Sequence, residues 1–467
     1  MKISITKKQF NIFFQVLGAV IFFLAAGIIF FNYSIDISPL IFAFCLFLYA
    51  KFFRNIEVFS SPMDLYLLGA LSIITSIIIT VTFRIPGYGI PAIGFVILAT
   101  LLFDSLEFSF LFSLFFFSLG ASIEGGSLTV GTSLFAGALT SAVFSFRVHR
   151  RFEVIKAGLI GGVVQFLVAL IIERVRNEQI FVPFFSYADV TLLKICLLNG
   201  VSSLFVLAIL PIFEYIFRVV TNISLLELSD FNHPLLRKLI LEAPGTYQHS
   251  LVVANLSEAA ADAIGANSLL VRVGAYYHDI GKMIKPSYFV ENIVGYKDMH
   301  KDLKPSMSKL IIINHVKDGV DLAKKYRLKK IIIDFIIEHH GKTLVYYFYQ
   351  RAKELEPEKE HEENYRYVGP KPQSKETAIV ALADTIEALS RTLEEPTPSR
   401  IEEMIREVIR KRFMEGELDE STLTLKDLEK ITKKFAHVLN ALFHTRINYP
   451  KEDDRNNKST KDKENKS

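Results

Sequence analysis

The chain has 467 residues, enough for two or three domains, and is 51% hydrophobic with a mean hydropathy of +0.32. That is too apolar for an ordinary soluble protein, and the apolarity is concentrated in residues 1–220, whereas 221–467 carry the charge of a soluble domain. The net charge of +4, with no basic patch interleaved with aromatics, disfavours a nucleic-acid polymer as partner, and the two cysteines, Cys45 and Cys196, lie in apolar runs and leave no disulfide framework.

Lys2, Lys7 and Lys8 precede an apolar run over about 10–31 with no clear small-residue cleavage pattern after it, so it reads as a first membrane helix rather than a signal peptide. Further runs lie near 37–53, 64–83, 88–103, 106–121, 128–146, 154–174 and 191–217. A spanning helix needs roughly 20 apolar residues. Asp104 and Glu107 interrupt the block 88–121, and buried charge in lipid is costly, so a turn between two short helices is predicted there. That gives eight spans, with seven if the block is one helix.

Lys51 with Arg54, and Arg147, Arg150, Arg151 and Lys156, then share a side with the first three lysines, while Arg84, Arg174 and Arg176 lie opposite. The excess of basic residues predicts both termini in the cytoplasm of a plasma-membrane protein. The largest external loop, about 175–190, is too short for a folded sensor domain, and Gly158, Gly161 and Gly162 predict close helix packing.

Residues 221–236 read as a linker in which Thr221 or Ser224 caps a new helix. From 237 to about 345 the pattern is helical: 250–264, stopped by Gly265, then 268–279, 306–325 and 329–340. Residues 351–376 form a charged excursion, and helix resumes over 375–392, 399–413 and 425–444. The fold class is all-α, a polytopic membrane bundle (1–220) followed by a helical cytosolic domain (237–448) and a disordered charged tail (449–467).

The chemistry centres on Tyr277-His278-Asp279-Ile280-Gly281-Lys282. An imidazole can bind one metal ion while the neighbouring carboxylate bridges it to a second. His249, His315, His339, His340 and Asp384 supply further ligand types from other helical segments. Imidazole and carboxylate donors suit iron, manganese or zinc, and the absence of thiolates argues against a structural zinc knot. Two ions about 3.5–4 Å apart can clamp a phosphodiester and acidify a water nucleophile. Lys282 adds positive charge beside the phosphate, and Arg391, two helical turns after Asp384, is placed to face the same cavity.

These residues resemble the HD-domain phosphohydrolases, and more narrowly the seven-transmembrane HD family of membrane-bound cyclic di-AMP phosphodiesterases. The likeness is carried by Leu225-Leu226-Glu227-Leu228, His233-Pro234-Leu235-Leu236, Glu242-Ala243-Pro244-Gly245-Thr246-Tyr247-Gln248-His249-Ser250, Ala275-Tyr276-Tyr277-His278-Asp279-Ile280-Gly281-Lys282, Ile313-Asn314-His315-Val316, Glu338-His339-His340-Gly341, the Gly369-to-Ala378 stretch and Ala383-Asp384-Thr385-Ile386-Glu387-Ala388. It implies a di-metal site, iron above manganese, that linearises cyclic di-AMP to pApA. His249, His278, Asp279 and Asp384 would hold one ion, and Asp279, His315, His339 and His340 the other, with Asp279 bridging. Asp279 and Lys282 stand as catalytic candidates, and Lys282, Arg391 and Tyr247 as substrate-binding ones. A homodimer is left open.

Such proteins commonly carry a large extracytoplasmic domain after the first span, where this chain has only Asn32 to Ser38. Cyclic di-GMP is a weaker substrate expectation, because Gly341-Lys342-Thr343-Leu344 stands where the related soluble group has Gly-Tyr-Pro. ppGpp and dNTPs are further substrates of HD proteins. A receptor whose HD module only binds nucleotide is the rival of another class, and no ligand position is lost here to favour it. A transporter would want broken helices midway through the membrane, for which Asp104 and Glu107 are the only hint.

Overall fold

The computed structural model describes residues 63–177, 186–217, 219–293, 299–355 and 361–443. The two N-terminal apolar runs, the lysines around them and the charged tail lie outside the described residues. The chain divides into two compact units, one comprising Met1–His233 with Lys329–Ile331, the other Pro234–Leu328 with Ile332–Ser467. Both are helical: among the described residues the only β pairing is a single antiparallel bridge between Leu344 and Arg366.

In the first unit four helices are long and apolar enough to cross a membrane, Leu106–Ile123, Leu128–Ser145, Arg151–Arg176 and Tyr187–Phe217. Two shorter apolar segments, Leu67–Thr82 and Gly87–Phe103, precede them. The break predicted at Asp104 is present. Asp104 adopts a left-handed conformation (φ 43°), and the Ser105 hydroxyl accepts from the Phe108 amide to cap the next helix. Phe103, Phe108, Phe112, Phe115 and Phe116 are buried in this unit's core.

The small residues pack as expected. The Gly158 and Gly162 faces of one long helix meet the Gly200 and Cys196 carbonyls of the next at separations that leave no room for a Cβ. The Ala92–Phe103 helix has 12 residues, about 18 Å and short of a bilayer core. The non-helical backbone before it is satisfied from inside the bundle: Gln165 donates to the Tyr88 carbonyl (2.7 Å) and Asn199 to the Ile90 carbonyl (2.7 Å). At the end of the last span, the buried Glu214 carboxylate accepts from the Thr221 amide (2.9 Å) and the Ser224 hydroxyl (2.8 Å). Thr221 itself caps helix Asn222–Ser229.

The second unit is built on helix Pro244–Ile264, opened by Pro244 in the first turn and closed by Gly265 at φ 74°. It packs against Ser268–Tyr277, Lys375–Ser390 and Leu425–Phe443. Val253, Val271, Phe335, Ile379 and Phe435, fully or almost fully buried, are part of the unit's apolar interior. Helix Pro305–Lys325 packs on the short Ile280–Ile284 turn, where Gly281 permits the approach: a Cβ there would collide with the His315 carbonyl and the Gly319 amide.

The charged excursion is more structured than its composition suggests. Helix Tyr346–Leu355 runs into it, and residues 361–367 return to pair with the chain after His340. Val345 donates to the Tyr365 carbonyl and Tyr367 to the Thr343 carbonyl, both at 2.9 Å, and Tyr365 is buried. This pairing is non-local, so local charge and proline content did not reveal it.

Candidate metal centre

Five helical segments of the second unit bring the seven expected ligand residues together. His249 projects from the first turns of Pro244–Ile264, His278 caps Ser268–Tyr277 with Asp279 following, His315 lies midway along Pro305–Lys325, and Asp384 lies in Lys375–Ser390. Helix Lys330–Glu338 stops two residues earlier than periodicity suggested, so His339 and His340 occupy the turn beyond it. Gly341, at φ 53°, lets the chain reverse there.

The residues form two groups, His249, His278, Asp279 and Asp384, and Asp279, His315, His339 and His340. Within each, one donor atom per residue lies within 4.8 Å of all the others. Asp279 belongs to both, and its oxygens divide. Oδ2 lies 3.5 Å from His249 Nε2 and 3.3 Å from His278 Nε2. Oδ1 lies 3.3 Å from His315 Nε2 and 3.6 Å from His339 Nε2. Asp384 makes the second carboxylate, with Oδ1 at 3.0 Å from His249 Nε2 and Oδ2 at 3.6 Å from His340 Nδ1.

These residues fit a pair of cations. His278 Nε2 and both Asp279 oxygens are buried without a hydrogen bond of ordinary geometry, a costly arrangement unless something else satisfies them. Three imidazoles are held with Nε2 turned toward the ligand groups: His278, His315 and His339 donate from Nδ1 to the carbonyls of Ala275 (2.7 Å), Ile312 (2.6 Å) and Ile336 (2.9 Å).

The electrostatics follow from burial and crowding. Burial opposes ionisation of Asp279, but the Lys282 ammonium and the His278 ring hold its carboxyl well below the usual range. Burial likewise opposes ionisation of Asp384, and the facing rings of His249 and His278 reverse that and keep it ionised. Burial disfavours the charged ring of His278, yet the two carboxylates raise it to about 10. His339 and His340 go the other way, since burial lowers both and the neighbouring His339 ring adds to it for His340.

Among the other candidates, Lys282 sits between two carboxylates, 2.7 Å from Asp279 Oδ2 and 3.0 Å from Glu291 Oε1. Arg391 does not join the ligand group. Its Nε donates to Glu387 Oε1 at 2.7 Å, and 46% of its side chain is exposed. Tyr247, two residues before His249 on one helix, is turned about 200° from it and lies near Tyr276.

Four neighbours were missed from sequence. Glu387 accepts from His249 Nδ1 at 2.5 Å. Its spacing of three from Asp384 put it on the same helix face, the one local signal available. Glu291 holds Lys282, Tyr367 stacks on His340 with centroids 4.2 Å apart, and Arg412 donates to Thr385. The last three reach the region from distant segments and left no local signature.

Fold and site define an HD-type helical domain following a multi-pass membrane bundle. Residues 34–221 match the family described as a 7TM receptor with intracellular HD hydrolase, and residues 246–389 match the HD domain family. The chain belongs to the 7TM/HD phosphohydrolases, with its HD domain cytosolic, and is related to the PgpH proteins. It is similar to the cyclic-di-AMP phosphodiesterase PgpH of Bacillus subtilis (strain 168), 40% identical over 323 residues covering 69% of this chain and 45% of that protein. The PgpH of Listeria monocytogenes serotype 1/2a (strain 10403S) is 41% identical over 322 residues, covering 69% and 44%. The crystal structure of the L. monocytogenes PgpH HD domain in complex with cyclic-di-AMP aligns at 48% identity over 46% of this chain and 100% of that one, with a TM-score of 0.44. The chain thus spans less than half the length of these two curated relatives.

Proposed function

We propose that this protein is a membrane-anchored, metal-dependent phosphodiesterase that hydrolyses cyclic di-AMP to pApA. The observation that carries the reading is the division of the Asp279 carboxylate, one oxygen toward each histidine group. A structural site has no need of two adjacent ligand sets sharing a buried carboxylate. The curated relatives, named as cyclic-di-AMP phosphodiesterases, supply the substrate class.

When bound, two divalent cations supply positive charge at the phosphodiester and acidify a water nucleophile. Iron is the first choice and manganese the second, since five imidazoles and two carboxylates form a nitrogen- and oxygen-rich set without thiolate. His249, His278, Asp279 and Asp384 would hold one cation, and Asp279, His315, His339 and His340 the other. Lys282 keeps Asp279 ionised and adds a cation within reach of the site's edge. In the net reaction one water adds to one phosphorus, one P–O3′ bond breaks, and the freed 3′ oxygen takes a proton. The linear product retains a 5′-phosphate.

Tyr247 and Arg391 remain candidates for contacts with the nucleobases or the second phosphate, Arg391 only after release from Glu387. The membrane region, with both termini in the cytoplasm, would anchor the enzyme and regulate it.

The test uses the full chain in detergent or nanodiscs, loaded with Fe²⁺ or Mn²⁺ and supplied with cyclic di-AMP. Wild type should produce pApA and Asp279→Ala should not. An inactive wild type, or an active Asp279→Ala, would overturn the proposal. Cyclic di-GMP offered in parallel decides the substrate, and its faster turnover would replace the adenine assignment.

A further inference from the structure

The two ligand groups are built from similar donors but supported differently. Three of the five histidines rest Nδ1 on a backbone carbonyl of their own helix. His249 alone among them rests it on a carboxylate, Glu387 Oε2 at 2.5 Å. Glu387 is 3% exposed, and its other oxygen is fixed by Arg391 at the surface. A carboxylate accepting from imidazole makes a charge-assisted hydrogen bond, shorter and stronger than one to a neutral carbonyl. It holds the proton on Nδ1, leaves Nε2 as the nitrogen that faces the ligand group, and raises the basicity of Nε2 toward a cation.

His249 Nε2 points at Asp384 Oδ1 (3.0 Å) and Asp279 Oδ2 (3.5 Å), the carboxylate oxygens of the first ligand group. One helix face thus supplies a ligand, Asp384, and three residues later the support for another. In the second group His315 and His339 rest Nδ1 on backbone carbonyls, and the carboxylate facing His340 Nδ1, Asp384 Oδ2 at 3.6 Å, is itself a member of the first group.

We infer that Glu387 is a positioning residue for His249, and that it makes the two cation sites unequal, the His249/His278/Asp279/Asp384 site being the tighter. The two sites would then fill in order, and cation supply would govern the second, so that activity tracks occupancy of the His315/His339/His340 side. This rests on the two-cation reading above.

The test measures binding rather than turnover. Full-length protein, stripped with chelator and held in detergent, is titrated with Mn²⁺ and followed by calorimetry and by the electron paramagnetic resonance of free Mn²⁺. Wild type should take up two equivalents in two resolved steps. Glu387→Gln, isosteric and uncharged, should weaken the tighter step by roughly 10–100-fold and leave the weaker step within about twofold. Arg391→Ala, at an exposed position, should weaken the same step by a few-fold and serves as the readout should Glu387→Gln fail to fold. Equal weakening of both steps, or no change in either, overturns the inference while leaving the two-cation reading intact. A wild type that binds no Mn²⁺ defeats that reading itself.

Discussion

Gly281 follows the shared Asp279 carboxylate by two residues and packs directly under helix Pro305–Lys325. A Cβ at this position would fall well inside contact distance of the His315 carbonyl and 2.6 Å from the Gly319 amide nitrogen, both backbone atoms that cannot swing aside. Carbon contacts settle near 3.5–4.0 Å, so Gly281→Ala must drive the helix off by on the order of 1 Å. Overpacking of this kind costs about 1–3 kcal/mol of stability. The functional effect should be larger than the thermodynamic one. His315 rides on the displaced turn, with Nε2 3.3 Å from Asp279 Oδ1, and a shift of about 1 Å in an active site costs about 10²-fold in rate. Gly281→Ala should therefore stay folded with a modestly lowered Tm, bind one Mn²⁺ equivalent much more weakly, and turn over cyclic di-AMP about 10²-fold more slowly. A variant with wild-type metal uptake and wild-type rate would refute the claim that this close approach sets the position of His315.

Further expectations follow from other contacts. Asp279→Asn should weaken both Mn²⁺ steps, whereas His339→Ala should weaken one, since Asp279 is the residue that the two groups share; calorimetry distinguishes them. Glu291 accepts from Lys282 (3.0 Å) and from the Thr246 hydroxyl (3.1 Å), and although burial opposes its ionisation, Lys282 holds its carboxyl below the usual range. A depressed carboxyl contributes stability above its unfolded value near 4.5 and loses it as pH falls through the folded value. Glu291→Gln should thus lower stability by about 1–3 kcal/mol at neutral pH, with a flat gap from wild type between about pH 5.5 and 8 that closes in more acidic buffer. A gap that widened toward acid would contradict the sign. In the membrane unit, Gly162→Leu has no room against the Cys196 carbonyl, so it should lower the Tm in nanodiscs and expose the otherwise buried Cys196 to a maleimide in a Cys45→Ser background.

Much of the site was legible because its residues are of unusual type for buried positions. Each of the five histidines and two aspartates taken singly reads as an ordinary core or surface residue, but together, with the His-Asp step among them, they pointed to a shared carboxylate. The turn at Asp104 was legible for the same reason, since a carboxylate in lipid must find a helix end. What stayed hidden depends on pairing across the chain. Tyr367 reaches His340 only because residues 343–345 and 365–367 pair with one another, and nothing in the Glu- and Pro-rich composition between them signals that return. Arg391 shows how far spacing alone reaches. Its spacing of seven from Asp384 suggested a shared face, yet Glu387 between them takes up its charge.

The adjacency of His278 and Asp279 itself has a physical reason. On a regular helix neighbouring side chains diverge by about 100°, so two consecutive residues cannot both serve one point between helices. Here the helix ends at Tyr277, His278 keeps helical dihedrals (φ −56°, ψ −33°), and Asp279 departs to φ −112°, ψ 16°. That departure places the carboxylate across the gap between the His249 side and the His315 side, while His278 stays on the first. The Ile280–Ile284 turn that follows needs Gly281 for its approach to helix Pro305–Lys325, and it carries Lys282 back to 2.7 Å from the carboxylate. The stretch from His278 to Gly281 is thus one device: a helix end, a carboxylate released by it to both groups, and the glycine that admits the helix carrying His315. A substitution at Asp279 should act on both cation positions, one at His278 on the first, and one at Gly281 on the second. A substitution at His249 or Glu387 should act on one alone.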